Sequence, residues 1–493
     1  MIVGIDFGTT NSLVAYVDEA LQPQVIVNER GARLTPSVVF FKNDRQVLVG
    51  ELARSQALAR PEQTILRVKR KMGTDHRYTI FGREYTPSEI GGLIFRKLKK
   101  YASDFLGEEV THAVVTVPAY FDDNQRQGVL RAARIGGIDV VKLLNEPTAA
   151  ALAYGVYERG RKLILVLDFG GGTFDITLME YQEGLFEVVT TGGSTALGGA
   201  DFDAVLARWV VETVREEKGV NLENDPVAMY HIFTTVERAK IDLSSARETT
   251  IIIPYIALTE RGPVHIHLNI SREQFERLTA PLFEQAFSLV EATLKEARVS
   301  PLQVDVVILS GGSSRLPLFQ NTVRSMFSHA EFKAEVNPDE VVALGAAIHA
   351  AMLEGRLNHV ELRDVLPHSL GVLDDDGCFV PLIERGTTYP TVATRLFTNT
   401  RDDQDQVVVK VLQEREGHLV SLGYFHFSSQ RRWRRGEARL AISFIINGNG
   451  VLEVVAEDTD TQEVATLTIT GSVFGMPDGE ALVERRGTGL EVF

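Results

Sequence analysis

The chain has 493 residues, 44% of them hydrophobic and 24% charged, the balance of a soluble globular protein with room for about three compact units at roughly 150 residues each. Its 51 Lys and Arg against 66 Asp and Glu leave a formal charge of −15, which argues against nucleic acid or another polyanion as the main partner. A single cysteine, Cys378, excludes an intramolecular disulfide and fits a reducing compartment; with no basic leader before Asp6 and no apolar run of about 18 residues, a cytoplasmic protein without a membrane partner is expected.

Along the chain, IVGIDFGTTNSLVAY at 2–16 runs apolar residues into Asp-Phe-Gly, then hydroxyls, then further β-formers. This predicts a strand, a tight turn and a second strand, with Gly8 at positive φ. HAVVTVPAY predicts another strand, which Pro118 would terminate. LVLDFGGGTFDITLM at 165–179 repeats the first pattern, so Gly170, Gly171 and Gly172 are expected to take positive φ and expose their N–H groups. Such a repeat implies two similar halves packed across a cleft. In ADFDAVLARWVVETV, Phe202, Val205, Leu206, Trp209 and Val210 follow 3, 4, 7, 8 spacing, one buried helical face on which Trp209 reads as core. VDVVILSGG adds a strand, and the alternation of strands and helices to about Gly355 is that of an α/β region.

Past VALGAAIHAAMLEGRLNHVELRDVLPHS, where Pro367 breaks the pattern, short β runs take over. DQVVVKVLQ alternates, and ARLAISFIINGNGVLEVVAED reads as two strands about an Asn-Gly-rich turn at 447–450, so a β-sandwich of about a hundred residues is expected. From Gly471 the tail is Gly-rich and charged, too short for a helical domain. QRRWRRG at 430–436 could suggest nucleic acid, but in so acidic a chain it reads as a solvated turn.

No GxxxxGK[ST] motif occurs, so a Walker loop does not read phosphate here. The repeat supplies another solution, in which amides and hydroxyls of Gly8, Thr9, Thr10, Gly171, Gly172 and Thr173 hold phosphate oxygens while carboxylates position a cation. Hard oxygen ligands suit Mg²⁺, which keeps several of its waters. Asp6, Asp168 and Asp175 are the candidate anchors, with Asp6 and Asp168 holding the metal through water.

Taken together, IDFGTTNS, VTVPAYFDDNQRQ, NEPTAAALAYG, LDFGGGTFD, LGGADFD, ERAKIDLSS, GGSSRLP and NPDEVVALGAA resemble the ATPase domain of the seventy-kilodalton heat-shock chaperones. The likeness continues through PLIERGTTYPT and VVVKVLQ, over nearly the whole chain. It implies a two-lobed actin-like α/β ATPase domain of duplicated ribonuclease H-like halves (1–357), a linker (358–366), an all-β sandwich that binds peptide (367–470) and a short tail (471–493). The implied activity is Mg²⁺-dependent hydrolysis of ATP to ADP and phosphate, in a stress-response chaperone that controls its grip on extended apolar segments of unfolded proteins. A J-domain cochaperone and a nucleotide exchange factor are the implied further partners.

The same resemblance assigns roles. Lys69 matches the lysine that orients the attacking water, and Glu146, with Asp6, Asp168, Thr173 and Asp175, the group arranging Mg²⁺, water and γ-phosphate. The phosphate motifs extend to Asn11, Gly170, Gly198 and Gly199. Gly311, Gly312, Ser313, Arg315, Glu237, Lys240, Ser244 and Asp339 match the adenosine pocket; Glu237 and Lys240, three apart on a helix, could offer a ribose one hydrogen-bonding edge or form a surface ion pair. Pro118 and Arg126 fall on the family's relay from nucleotide to linker, and Lys142, Asn145 and Asp364 where a J-domain would dock. Val372, Phe397, Val407, Val409 and Val451 fall near the peptide pocket, with sandwich core as the plainer reading.

Four departures accompany the likeness. The chain is short between Gly73 and Tyr85, as in the divergent bacterial HscC-type branch. The linker keeps Val360 and Leu362 but has Glu361 and Arg363 where leucine is usual, and their burial on docking would be costly, so weak interdomain coupling is expected. Acidic residues 374–376 replace an apolar arch over the peptide, and no helical lid follows, so fast and weak substrate exchange is expected. A sugar-kinase-like phosphotransferase, which shares the duplicated hairpins but needs no β-sandwich, and a noncatalytic holdase or exchange-factor relative remain open alternatives.

Overall fold

Both Asp-Phe-Gly stretches form the antiparallel hairpins their sequence predicts, Val3–Asp6 with Asn11–Val17 and Lys162–Phe169 with Phe174–Gln182. Each hairpin is the heart of a mixed sheet. In the first, Val3–Asp6 also pairs in parallel with His112–Val117, which pairs in parallel with Asp139–Asn145. In the second, Lys162–Phe169 pairs in parallel with Val306–Ser310, which pairs in parallel with Glu331–Lys333. The repeat in the sequence is thus a repeat of topology. The chain is seen here as a computed structural model that describes residues 1–468 and 491–492, other than 58, 156–159, 261, 334–335, 359, 374–376 and 416.

Helices cover the sheets with their apolar faces. Gly199–Lys218 buries Phe202, Leu206 and Val210 completely, with Val205 and Trp209 half-buried at the rim, so Trp209 is core as the spacing predicts. Pro87–Leu106 starts at a reciprocal cap, in which Thr86 Oγ1 accepts from the Glu89 amide at 3.1 Å and Glu89 Oε2 accepts from the Thr86 amide at 2.7 Å. Two Ala-rich helices, Glu146–Ala153 and Val341–Leu353, cross so closely that a Cβ on Gly345 would stand 1.8 Å from the Ala149 carbonyl oxygen. No described helix is long and apolar enough to cross a membrane.

After Pro367 the chain builds two four-stranded antiparallel sheets. The predicted alternating strand is Gln404–Arg415, and the predicted hairpin is Leu440–Ile446 with Leu452–Asp458. Leu370, Val411, Phe425, Trp433, Ile442 and Phe444 fill the space between the sheets, the core of a β-sandwich. The basic run at 430–436, expected as a solvated turn, instead ends the strand His418–Trp433 before it turns, with Arg431 paired to Asp460 at 3.1 Å, Arg432 to Asp403 at 2.6 Å and Trp433 buried. The sequence between Gly73 and Tyr85 holds a small hairpin, Tyr78–Ile80 with Arg83–Tyr85, and residues Glu491–Val492 pair in parallel with the strand Gln46–Val49. The acidic residues 374–376 and the tail at 471–490 lie outside the described residues.

The segment expected as a linker is itself a strand, Glu361–Val365, laid in parallel on Leu185–Ser194 at the edge of the second sheet. This corrects the expected desolvation. Strand alternation turns Val360 and Leu362 inward and Glu361 and Arg363 outward, where Arg363 Nη2 pairs with Glu361 Oε1 at 2.7 Å in water. The charges therefore replace leucines at positions that docking leaves exposed.

The sandwich rests against the α/β part along a hydrogen-bonded seam. Asp123 Oδ1 accepts from the Leu452 amide at 2.8 Å, Arg415 pairs with Asp122 at 3.2 Å, and His368 Nε2 meets the Tyr120 carbonyl at 3.1 Å. Arg126, buried, donates to Asn145 Oδ1 at 2.8 Å and to the Asn449 carbonyl at 3.4 Å. Pro118 does end its strand, as expected from its missing N–H.

Candidate active site

Asp6 closes the strand Val3–Asp6, Asp168 lies one residue from the end of Lys162–Phe169, and Asp175 stands directly opposite Asp168 on the facing strand. Glu146 begins the helix Glu146–Ala153, and Lys69 sits on a short 3₁₀ turn, Val68–Lys71. Lys69, Glu146, Asp168 and Asp175 are buried and Asp6 is half-buried. Lys69 Nζ meets Glu146 Oε1 at 2.5 Å and lies 5.8 Å from the centre of the Phe121 ring. Thr116 donates to Asp6 at 3.3 Å, Ser310 to Asp168 at 3.1 Å, and the Tyr120 amide to Asp175 at 2.9 Å.

Electrostatically this cluster is overloaded with carboxylates. Burial, then the charge of Glu146, pushes Asp6 up to about 7, and the same two causes push Asp175 up to about 7. Asp168 is raised well above the usual carboxylate range by burial and by Glu146 and Asp175. Burial alone would lower Lys69, yet Glu146 and Asp6 outweigh it and hold the ammonium raised and charged. One lysine cannot neutralise four clustered acids. The cluster is a place that gains stability from a further positive charge.

The glycines act otherwise than expected. None of Gly8, Gly170, Gly171 and Gly172 adopts a positive φ. Space requires Gly8, Gly171 and Gly172 instead, because a Cβ on Gly8 would stand 1.9 Å from the Asn11 carbonyl, and one on Gly171 would stand 2.2 Å from Thr10 Oγ1, whereas one on Gly170 would meet nothing nearer than 3.7 Å. Gly172 faces Thr9 in the same way, at 2.7 Å from its methyl. The turns of the two repeats therefore meet tip to tip. The residue that does need φ near 79° is Gly311, where a Cβ would press on the Phe169 carbonyl and on Asp168 Oδ1.

Between the sheets lies a cavity of about 740 Å³, large enough for a nucleotide. Its lining includes Asp6, Gly8, Thr9, Thr10 and Asn11 from the first turn and Asp168, Gly170, Gly171 and Thr173 from the second, with Lys69 and Glu146 between them. Gly199, Glu237, Lys240, Ser244, Gly311, Gly312, Ser313, Arg315 and Asp339 line the rest. Asp175, Gly172 and Gly198 stand just behind this wall, Gly198 packed so that a Cβ would lie 2.5 Å from the Gly172 nitrogen. Arg315 is held over the mouth by Asp339 at 2.8 Å.

Two lining residues are assigned no role in the sequence, although Asp203 stands in the stretch LGGADFD. Ser310, at the end of a strand, is the hydroxyl that orients Asp168. Asp203, one turn into the helix Gly199–Lys218, pairs with Lys240 at 2.7 Å, so Lys240 is committed there and does not form a surface ion pair with Glu237. Asp203 is legible only as one more acid on a helix until Lys240 is seen to cross to it.

The remaining expected sites fall elsewhere. Asn145 and Asp364 are buried, bonded to Tyr389 and Thr148 at 3.3 and 3.0 Å, and Lys142 donates to the Gly448 carbonyl, so all three are engaged within the chain rather than forming an open docking surface. Val372, Val407 and Val409 belong to the sandwich core, with Phe397 packed against it. Val451 is buried away from them, against the core of the first sheet.

For a cation, the fit rests on the acids. Asp175 Oδ2 is buried with no hydrogen-bond partner, and burial and the charge of Glu146 act against its carboxylate more strongly than Lys69 and Arg126 favour it. Among the described residues no three such side chains converge into a direct ligand cage. Both facts suit a hydrated Mg²⁺ shared between Asp6, Asp168 and a phosphate better than a metal held by protein alone.

A protein-family model described as Hsp70 protein matches residues 2–81 and 76–482 of this chain. The two matched segments meet at 76–81, within the shortened stretch between Gly73 and Tyr85.

Proposed function

This chain belongs to the Hsp70 family, a family of ATPase chaperones, and from that premise we propose that it binds extended apolar segments of unfolded proteins and that Mg²⁺-dependent ATP hydrolysis controls its affinity for them. The observation that carries the proposal is the meeting of the two glycine turns over the Lys69–Glu146 pair and the three aspartates, in a cavity of nucleotide size. The two mixed sheets are read as the lobes of an actin-like ATPase domain at 1–357, followed by a linker at 358–366 and a peptide-binding sandwich at 367–470.

The chemistry follows from charge. Phosphoryl transfer to water passes through a loose transition state that needs positioning and neutralisation rather than covalent help. Amides and hydroxyls of Gly8, Thr9, Thr10, Gly171, Gly172 and Thr173 hold the phosphates. Lys69, kept charged by Glu146, orients the attacking water and offsets charge on the transferring group. Asp175, with its raised affinity for protons, accepts from that water or from its solvation shell. Mg²⁺, when bound with nucleotide, supplies further neutralisation at the phosphate oxygens. Glu237, Lys240, Ser244, Arg315 and Asp339 take the nucleoside.

The strand Glu361–Val365 on the second sheet, with the seam beside it, supports control of the sandwich by the nucleotide. A ligand shifts such an equilibrium only by binding the docked and released arrangements unequally. Members of the family work with J-domain cochaperones, and such a partner is expected here. The deciding experiment is ATP turnover with and without a panel of extended apolar peptides. Stimulated turnover is the expected result. ATP binding without turnover would indicate a noncatalytic relative, and phosphorylation of a small sugar a kinase.

A further inference from the structure

Two arginines reach from the turn that carries Lys69 to the helix Gly199–Lys218. Arg67 Nη2 lies 3.3 Å from Asp203 Oδ2, and Arg70 Nη2 lies 3.0 and 3.2 Å from the two oxygens of Asp201. The turn belongs with the core of the first sheet through Val68 and Met72, whereas the helix bearing Asp201 and Asp203 belongs with the second through Phe202 and Leu206. Both contacts therefore join the two sides of the cleft.

Arg67 differs from Arg70 in what stands behind its partner. Asp201 is a helix-capping residue at the surface, its Oδ2 accepting from the Gly198 amide at 2.8 Å. Asp203 is only 1% exposed and is shared, its other oxygen lying 2.7 Å from Lys240 Nζ. Lys240 in turn donates to the Gly199 carbonyl at 2.9 Å and lines the nucleoside end of the cavity. Arg67 also initiates the catalytic turn, since its carbonyl accepts from the Arg70 amide at 3.1 Å. It does so from a left-handed backbone, φ 56° and ψ 35°, which a non-glycine residue holds only when its surroundings impose it. Backbone and side chain of one residue thus fix the Lys69 turn at one end and the nucleoside wall at the other.

We propose that Arg67 is a positioning residue which, through Asp203 and Lys240, ties the turn bearing Lys69 to the nucleoside end of the cavity, so that closure on a nucleotide both sets Lys69 for hydrolysis and retards nucleotide release. This deepens the ATPase reading and rests on it. The strut explains why a buried aspartate, raised by desolvation and relieved by Lys240, is kept in the wall of a site already crowded with acids. It also makes adenosine contacts matter to chemistry some distance away, because disturbing Lys240 loosens Asp203, and Asp203 is what holds Arg67.

The test uses the full chain and labelled ADP. In Arg67→Ala, ADP release is expected to quicken about tenfold and single-turnover ATP hydrolysis to slow by about tenfold, with the melting temperature kept. Arg67→Lys, which restores the charge without the fork, is expected to recover part of both. Because Arg67 is partly exposed, wild-type release should approach that of Arg67→Ala in concentrated salt while the variant itself barely responds, a behaviour that a merely structural role would not give. Wild-type rates of both release and hydrolysis in Arg67→Ala would overturn the proposal. Failure of the unaltered protein to bind ADP would instead overturn the ATPase reading on which it rests.

Discussion

The floor of the nucleotide cavity and the interior of the β-sandwich are both largely buried, but they are built from opposite materials. The cavity floor gathers Asp6, Glu146, Asp168 and Asp175 around Lys69, with Asp175 Oδ2 lacking a partner and the aspartates held above their ordinary range. The sandwich packs Val372, Val407, Val409, Phe425, Phe427 and Trp433 with no ionisable group among them. Burial in the sandwich lowers the free energy of the fold, whereas burial in the cavity raises it and stores a demand for ligand.

The largest expected effect on that contrast lies in the sandwich. Trp433 is 1% exposed and stacks on Phe427, so Trp433→Ala should cost about 3–5 kcal/mol and lower the melting transition of the sandwich while ADP binding in the cavity persists. Trp433→Phe should cost much less, since the indole N–H has no partner to lose. Equal losses of stability and ADP binding in Trp433→Ala would show that the two interiors are one cooperative unit.

In the cavity the opposite signature is expected. Lys69→Ala should lose hydrolysis by about 100-fold or more, roughly 2.7 kcal/mol, yet keep ATP affinity within about tenfold and leave the melting temperature unchanged or higher. Chelation of Mg²⁺ should abolish hydrolysis in the unaltered protein. Single-turnover rates and nucleotide titrations check both, and undiminished turnover in either case would remove that charge from the chemistry.

The seam between the regions offers a smaller effect with opposing slopes. Burial lowers His368 from its usual 6.5 to about 4, so the contact favours neutral imidazole: its contribution is intact above 6.5 and is lost as pH falls toward 4. Arg415, Arg385 and Arg126 face it and act in the same sense. Burial raises Asp123 from 3.8 to about 7, against the Leu452 amide and Arg126 that oppose the shift, so its contribution is intact below 3.8 and is lost as pH rises toward 7. Seam contact, followed by hydrogen exchange at the Leu452 amide, should change by no more than about tenfold per pH unit for either group. In His368→Leu the aspartates remain, Asp123 and Asp122, which burial also raises, and contact should weaken steadily from pH 4 to 7. An unchanged profile in that variant would mean that the imidazole does not report on the seam.

The smallest effect is expected at the docked strand. With Glu361 and Arg363 facing water and paired mainly with each other, replacing both by leucine should alter the ratio of peptide dissociation constants in ATP and ADP by about twofold or less, the scale of an exposed pair. A large gain in coupling would restore the desolvation argument that strand alternation removes.

Much of the fold is legible locally. The Asp-Phe-Gly hairpins, the helix around Phe202 and the Leu440–Asp458 pair follow from period and turn chemistry, because each is decided by residues close in sequence. Period and turn chemistry single out Asp6, Asp168 and Asp175, whereas Lys69, Glu146 and the adenosine-pocket residues are named in the sequence only through the family resemblance. What a local reading misjudges depends on contacts far apart. The glycines of the turns read as φ specialists, but their need is the approach of Gly171 to Thr10, about 160 residues away. Val451 reads with the sandwich valines but packs on the first sheet, and Asn145 and Asp364 read as surface but are buried.

By itself the sequence determined the duplicated hairpins, their glycine-lined turns and the acids at their ends, for those properties are set by side-chain period and local conformational freedom, while the strand Glu361–Val365 was not legible in it. Only the tertiary structure decided which of those acids share a cavity, that Lys240 turns to Asp203 rather than to Glu237, that Arg67 crosses the cleft, and that Glu361 and Arg363 face outward. These are matters of distance and dielectric between groups remote in the chain. Coulomb energy and desolvation depend on where a charge is placed, and a linear sequence does not contain that placement.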